Sequence, residues 1–214
     1  MEQLQEELKG MKNSSFVAAR KKTAFGNTWR LWTQFSTVTE GTLQSSAFQG
    51  LIRSSEHFDL IIMEATMQQE ALLAFGHKFG APVVNLHPLF MSPLFASLSG
   101  NPNPLSYAPD FRLPYTDNLS FWQRVHNAML AIFDVLGGNL YLLPRHEGLM
   151  RKYFKYPGSE ALPPVKDLIA NISLHLVESH PMMYVRPYGP NIIEVAGMDT
   201  KPTTQLPQVR LCRM

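Results

Sequence analysis

Two short apolar runs separated by a helical segment constrain the fold of this chain more than any other feature. Residues 58–63 read Phe-Asp-Leu-Ile-Ile-Met, and residues 81–86 read Ala-Pro-Val-Val-Asn-Leu. Apolar runs of this length are typical of strands that are buried on both faces of a parallel sheet. Neighbouring parallel strands need a crossover, which is usually helical and right-handed. The sequence therefore predicts a βαβ unit and an α/β fold.

Polar residues at the ends of the two strands are the first candidates for a site. Glu64 falls at the carboxyl end of the first strand, where open α/β sheets bind their ligands. A solvated acid near a helix N-terminus is the alternative interpretation. His87 ends the second strand, and its alternative is a turn histidine with a hydrogen-bonded ring. Thr66 and Gln69 have the spacing of a capping box, which predicts that the crossover helix begins there.

The segment 88–118 is predicted to be a long loop. It is rich in Pro, Asn and Ser and also carries aromatic residues, among them Phe90 and Phe95. Loops of this length inside a compact domain are usually functional or disordered. We interpret this one as an apolar loop that covers a binding site.

A heptad-like apolar stripe follows the loop and predicts a long amphipathic helix, interrupted near Gly137-Gly138 and again at Pro144. The stripe consists of Trp122, Val125, Met129, Ile132 and Leu136. We expect it to pack in the core, with substrate contact as the alternative. One or two half-buried helices are predicted between residues 25 and 48, a short helix at 165–170, and further strands at 172–178 and 191–195.

Composition excludes several classes of protein. Of the 214 residues, 45% are hydrophobic and 17% charged, and the net charge is +2, so no field for binding nucleic acid is expected. A single cysteine excludes an internal disulfide framework. Phosphate-binding glycine motifs and helical histidine pairs are absent from the sequence, so neither a resident cofactor nor a metal is expected. No signal peptide or transmembrane anchor is predicted from the acidic start and the short apolar runs.

Four stretches in register resemble the amino-terminal half of the UDP-glycosyltransferases, and the insect members most closely. The first joins the strand at 58–64 to Gly-His-Lys-Phe-Gly-Ala-Pro-Val-Val at 76–84. The others are Gly-Asn-Pro at 100–102 with Tyr-Ala-Pro at 107–109, the segment 119–127, and His180-Pro181 leading to 186–198. The resemblance covers residues 23–208.

The resemblance implies a Rossmann-like parallel sheet that forms the amino-terminal half of a GT-B fold. This half binds a small lipophilic acceptor, while the other half binds most of the UDP-glucose or UDP-glucuronate co-substrate. The family transfers the sugar to an acceptor hydroxyl with inversion and without a metal. A histidine is the general base and a carboxylate orients it, a role that the resemblance gives to Glu64. The acceptor is expected near Glu64 and His87, among Phe90, Phe95 and Trp122.

Departures from the family pattern give further expectations. The family's early Gly-His segment, which supplies the base, has no recognisable counterpart, and neither does the half that binds the nucleotide sugar. We therefore expect a fragment with negligible turnover by itself. Residues 1–22 are interpreted as an irregular or helical extension, 23–198 as a partial acceptor-binding domain, and 199–214 as the remnant of an interdomain linker.

Other interpretations remain open at this point. A non-catalytic module that binds lipophilic ligands, or that pairs with a full-length paralogue and modulates it, needs the same apolar scaffold. A homo- or hetero-oligomer with full-length paralogues belongs to this alternative. A third interpretation is an unrelated doubly wound protein. For a full-length insect member the family implies the endoplasmic reticulum membrane and the detoxification of plant compounds.

Overall fold

A sheet of four parallel strands organises the protein. The structure, a computed structural model, describes residues 23–180, 186–197 and 200. The strands are β1 (Ile61–Met63), β2 (Val83–His87), β3 (Leu174–Val177) and β4 (Ile192–Glu194), and they lie side by side in that order. Every neighbouring pair is parallel. The predicted α/β fold with a Rossmann-like parallel sheet is confirmed.

The register brings the carboxyl ends of β1 and β2 together. Ile61 pairs with Val83, and Met63 pairs with Asn85, so Glu64 and the end of β2 lie at the same edge of the sheet. All four predicted strands are found, although β1 and β4 are shorter than their apolar runs. The first residues of the run at 58–63 precede the ladder, and Phe58 packs its ring against Phe79 instead.

The helices surround this sheet, and several of them begin after a Ser or Thr whose side chain caps the first turn. They are α1 (Ala24–Gln44), α2 (Ser46–Arg53), α3 (Ala74–Phe79), α4 (Pro93–Leu98), α5 (Phe121–Gly137), α6 (Leu143–Tyr153) and α7 (Val165–Ala170). Short 3₁₀ turns occupy Glu70–Leu73 and Ser159–Ala161. The predicted helices at 25–48 and 165–170 are confirmed, whereas the predicted loop at 88–118 contains α4.

Close packing explains where the long helix changes its geometry. A π-helical turn, Gly138–Leu142, joins α5 to α6, and Pro144 lies in the first turn of α6. A Cβ at Gly137 would come within 2.8 Å of the Trp32 ring, and a Cβ at Gly138 within 2.6 Å of Leu94. Glycine at both positions therefore lets α5 approach α1 and α4.

The predicted core position of the apolar stripe on α5 is wrong for four of its five residues. Trp122, Met129, Ile132 and Leu136 are exposed, Trp122 to 75%. The buried face of α5 instead carries Asn127, Leu130, Ala131 and Asp134. The cause is hydrogen bonding. The loop that crosses this face has backbone and side-chain groups that need hydrogen-bond partners, and an apolar stripe offers none.

Two predicted segments lie outside the described residues. They are the extension at 1–22 and nearly all of the linker at 199–214. Within the described part, the continuous helical stretch Phe121–Tyr153 is long enough to cross a membrane and contains an 18-residue window with a mean hydropathy of 1.2. The prediction of no transmembrane anchor relied on the length of unbroken apolar runs, and core helices of water-soluble domains reach the same mean hydropathy.

Candidate functional site

The segment after β1 is held by the side chain of Glu64. Its Oε1 accepts hydrogen bonds from the backbone N–H groups of Thr66, at 2.6 Å, and Met67, at 2.8 Å. The predicted capping box at Thr66 is wrong: Glu64 takes the backbone N–H of Thr66, the N–H of Gln69 donates to the Ala65 carbonyl, and regular helix begins only after the 3₁₀ turn at Glu70–Leu73. Oε2 of Glu64 has no hydrogen-bond partner among the described residues.

Gln68, in the same segment, has an unusual backbone. Its φ is 58°, in the left-handed region that non-glycine residues rarely adopt. The strain is held in place because the Gln68 carbonyl accepts a buried hydrogen bond of 2.6 Å from Thr39 Oγ1 on α1. Strained residues of this kind concentrate at binding sites.

A cavity lies beside this segment, and we call it the main cavity because it adjoins the candidate residues; a larger pocket lies between α4 and α5. The wall of the main cavity is largely apolar, formed by Leu31, Trp32, Leu89, Phe90, Phe95 and Phe111 together with smaller contributions from neighbouring residues. Polar residues line it from the segment after β1, from the loop before α5 and from α5 itself: Thr66, Gln68, Glu70, Arg112 and Asp134. An apolar pocket with a few polar groups is the usual form of a small-molecule site.

His87 lies behind the main cavity and belongs to a buried polar cluster in the sheet. Asn85 Oδ1 accepts from the backbone of Ala65, so its Nδ2 donates to His87 Nε2 at 3.0 Å. The same Nε2 is 2.9 Å from His175 Nδ1, and His87 Nδ1 is 3.3 Å from Thr66 Oγ1. Burial, with a smaller effect of His175, lowers the pKa of His87 to about 3. The hydrogen bonds and the lowered pKa both indicate that the His87 ring is neutral. It holds Thr66 in position.

A second buried cluster borders the main cavity directly. Glu70, from the 3₁₀ turn, has its Oε2 3.1 Å from His146 Nδ1 on α6. Across the ring, His146 Nε2 is 3.0 Å from Ser36 Oγ on α1, which donates to the Trp32 carbonyl at 2.6 Å. All three side chains are fully buried. Serine, histidine and glutamate in this order resemble a catalytic triad, but the buried hydroxyl of Ser36 is already committed to its own helix.

Arg112 fixes the loop that forms the far wall. Its guanidinium contacts Asp110 through Nε, at 2.8 Å, and Nη2, at 2.7 Å, and Asp134 through Nη1 at 2.8 Å. Asp134 Oδ2 also accepts from the backbone N–H of Leu94, at the start of α4. Burial by itself lowers the pKa of Arg112, but the carboxylates of Asp134 and Asp110 outweigh it and raise that pKa above its usual value. The loop, α4 and α5 are thereby joined by one buried charge network.

The predicted site residues fall into three places. Phe90 and Phe95 line the main cavity, and Glu64 holds the segment that forms its rim. His87 is completely buried behind the cavity wall, where its ring lies nearly perpendicular to the ring of Phe95. Trp122 lies exposed on α5 and does not line the cavity.

Sequence reasoning missed the polar residues of the cavity wall, Gln68, Glu70, Arg112 and Asp134. One signal was present: Asn127 and Asp134 are polar residues seven positions apart on one face of an apolar helix, a spacing that favours buried partners. Within the described part of the chain, no group of three or more His, Cys, Asp or Glu residues is placed to hold a metal ion.

Comparison with known proteins defines the class of this chain. The sequence model of the family described as "UDP-glucoronosyl and UDP-glucosyl transferase" matches residues 1–211. The chain therefore belongs to this family of UDP-glycosyltransferases.

Individual relatives agree with the family match. UDP-glycosyltransferase UGT4 of Dactylopius coccus is 31% identical over 171 residues, which are 78% of this chain and 33% of that protein. UDP-glucuronosyltransferase 3A2 of Homo sapiens is 32% identical, over 72% of this chain and 28% of that protein. The 2-hydroxyacylsphingosine 1-beta-galactosyltransferase of Rattus norvegicus is 29% identical, over 75% of this chain and 28% of the relative. The matched region thus spans about a third of these relatives, and no solved structure matches significantly.

Proposed function

We propose that this chain is the acceptor-binding part of an inverting UDP-glycosyltransferase, and that the acceptor occupies the main cavity. The observation that carries the proposal is the position of Glu64 at the carboxyl end of β1, directly before the rim segment of a largely apolar cavity. In the reaction, glucose or glucuronic acid passes from UDP to an acceptor hydroxyl.

Glu64 acts in this proposal as the carboxylate that orients the histidine base. Two backbone N–H groups fix Oε1, which leaves Oε2 to accept from an imidazole N–H. A carboxylate placed in this way selects the tautomer of the ring and stabilises the imidazolium that forms when the acceptor hydroxyl loses its proton. The donor UDP-sugar is bound mainly by residues of the carboxyl-terminal part that the relatives possess.

The binding step is tested with the purified chain and naphthol, a lipophilic phenol, by isothermal titration calorimetry. Leu31→Trp fills the main cavity and is expected to abolish binding, because Leu31 lies on its wall. The matched control is Leu140→Trp, at a side chain that is 79% exposed and outside the cavity, and it should bind as the unmodified chain does. Equal binding by the two variants contradicts the assignment of the acceptor site.

The catalytic step is tested in a chimera in which this chain replaces the matched third of the Dactylopius coccus UGT4, so that the flanking segments of that protein, including the one expected to supply the histidine, are retained. The isolated chain should form negligible glycoside from UDP-glucose and naphthol. In the chimera, Glu64→Gln is expected to lower kcat by about 100-fold or more, a typical contribution of positioned acid–base groups. Glu56→Gln changes an exposed glutamate and serves as the control.

The alternative function gives a different outcome in the same experiments. A non-catalytic ligand-binding or partner-modulating module binds naphthol but produces no turnover in the chimera. It instead lowers the activity of an intact paralogue when the two are co-expressed.

Family membership supports two further elements of the proposal. For a full-length protein we place the enzyme at the endoplasmic reticulum membrane and its substrates among plant compounds and xenobiotics that the organism detoxifies. Cell fractionation of the expressed full-length protein tests the location, and a panel of plant phenols tests the substrate class.

A further inference from the structure

Two polar side chains on the wall of the main cavity have buried oxygens without adequate partners. Glu70 is 0% exposed, and neither carboxyl oxygen forms a hydrogen bond of good geometry with the described residues. Its close neighbours are its own backbone N–H and Nδ1 of His146. Gln68, two residues earlier, is 8% exposed, and its Oε1 also lacks a hydrogen-bond partner among the described residues.

The hydrogen positions around His146 decide which oxygen of Glu70 is unpaired. Ser36 Oγ donates its proton to the Trp32 carbonyl and therefore accepts from His146 Nε2–H. The opposite nitrogen, Nδ1, is then an acceptor, so a protonated Glu70 Oε2 faces it as the donor. Burial raises the pKa of Glu70 well above its usual range, and the charges of Glu64 and Asp134 add to this effect. Oε1 is left as a carbonyl-type oxygen that accepts.

A buried oxygen without a donor loses its hydrogen bonds to water and gains none in return, so such groups usually have a partner in the working state of a protein. Here two of them, on Gln68 and Glu70, belong to one short segment on the largely apolar wall. The left-handed backbone at Gln68 is fixed by its hydrogen bond to Thr39, which limits relaxation of this segment. The missing component is therefore a hydrogen-bond donor that arrives with a ligand.

We propose that Gln68 and Glu70 form a polar subsite for a second hydrogen-bond donor, a hydroxyl or an N–H group, on a lipophilic acceptor whose other hydroxyl receives the sugar. This inference rests on the proposed function and narrows its substrate class from simple phenols to acceptors with two polar ends. Glu70 is a specificity-determining residue in this assignment, because it contacts the substrate away from the reacting hydroxyl.

The test compares naphthol with a dihydroxynaphthalene that carries its second hydroxyl on the other ring, by calorimetric titration of the full chain. The unmodified chain is expected to bind the dihydroxy compound about tenfold more tightly, the usual effect of pairing one buried group. Glu70→Gln keeps a donor toward His146 and an acceptor toward the cavity, so the preference should persist. Glu70→Met removes both, and the ratio of the two affinities should fall to about one.

Each result supports or overturns the proposal. Equal affinity of the unmodified chain for the two compounds overturns it and leaves the proposed function standing, as does an unchanged ratio in Glu70→Met. If neither compound binds, the proposed function fails together with this subsite.

Circular dichroism establishes that each variant folds. If Glu70→Met does not fold, Gln68→Asn replaces it, because asparagine tolerates the left-handed backbone and its shorter side chain withdraws the amide from the subsite. A lower ratio of the two affinities in Gln68→Asn supports the proposal, and an unchanged ratio overturns it.

Discussion

The two faces of the helical stretch 121–153 do not divide into an apolar covered face and a polar open one. The buried face carries three polar side chains, Asn127, Asp134 and His146, all less than 3% exposed, beside buried apolar ones such as Leu130, Leu142 and Met150. The other face exposes large apolar side chains: Phe121, Trp122, Met129, Ile132, Leu136 and Leu140. The difference teaches that hydrophobic periodicity identified the helix correctly but not the side on which it is covered.

Hydrogen bonding explains why polar side chains are stable on the covered face. Asn127 accepts from the backbone N–H of Asp110 and donates to the carbonyls of Leu105 and Ala108. Asp134 binds Arg112 and the start of α4, so the loop that closes the main cavity is fastened to α5 at two levels. A buried polar group is stable only when it is paired, and here the loop supplies the pairs.

The largest effect is expected from breaking the polar face at Asp134. Asp134→Leu leaves Arg112 with one carboxylate fewer and the Leu94 N–H unpaired, both in buried surroundings. Removing one partner of a buried ion pair typically costs about 3–5 kcal/mol. We expect a decrease of this size in the free energy of unfolding, measured by urea titration at pH 7.

Asp117→Leu is the matched control, because Asp117 is exposed and belongs to the same Pro-rich loop region. Its effect should stay within about 0.5 kcal/mol. A similar loss of stability in the two variants would show that the polar face of α5 contributes nothing special.

A smaller, pH-dependent effect is expected from His146. Burial, with a lesser effect of Arg145, lowers its folded-state pKa to about 4, from 6.5. Between those values the unfolded chain binds a proton that the folded chain excludes, so the folded state loses stability as the pH falls from 6.5 toward 4. From pH 7 to pH 5 this amounts to about 2 kcal/mol for one histidine.

His146→Gln should remove this part of the pH dependence, so its free energy of unfolding should fall less between pH 7 and pH 5 than that of the unmodified chain. Glu70 acts in the opposite direction, because its raised pKa lets the folded state hold the extra proton, but Glu70 is present in both proteins. His57→Gln changes a largely exposed histidine and should leave the slope unaltered. An unchanged slope in His146→Gln would contradict the neutral, buried state of the ring.

The fold was predictable because its signals are local. The apolar runs that became β1 and β2, and the helix at 165–170, needed only neighbouring residues and the handedness of parallel crossovers. The end of α5 at Gly137-Gly138 was also visible in the sequence, although its cause, the approach of Trp32 and Leu94, was not.

The cavity was less predictable because its polar wall depends on distant partners. Glu64, Phe90 and Phe95 follow from strand position and loop composition. Glu70 does not, since its significance arises from His146, 76 positions away along the chain, and from Ser36 on another helix. Trp122 was misplaced because periodicity gives the spacing of a stripe and not the direction in which it points.

The smallest effect is expected on the apolar face, and it tests the comparison most directly. Leu130 and Leu136 lie on the same helix, but Leu130 is 0% exposed and Leu136 is 57% exposed. Leu130→Ala should cost about 2–5 kcal/mol, as for other buried leucines. Leu136→Ala should change the free energy of unfolding by no more than about 0.5 kcal/mol, since it removes little buried area. If Leu136→Ala instead costs as much as Leu130→Ala in urea titrations of the full chain, another part of the protein covers the exposed apolar side chains in solution, and the contrast between the two faces is lost.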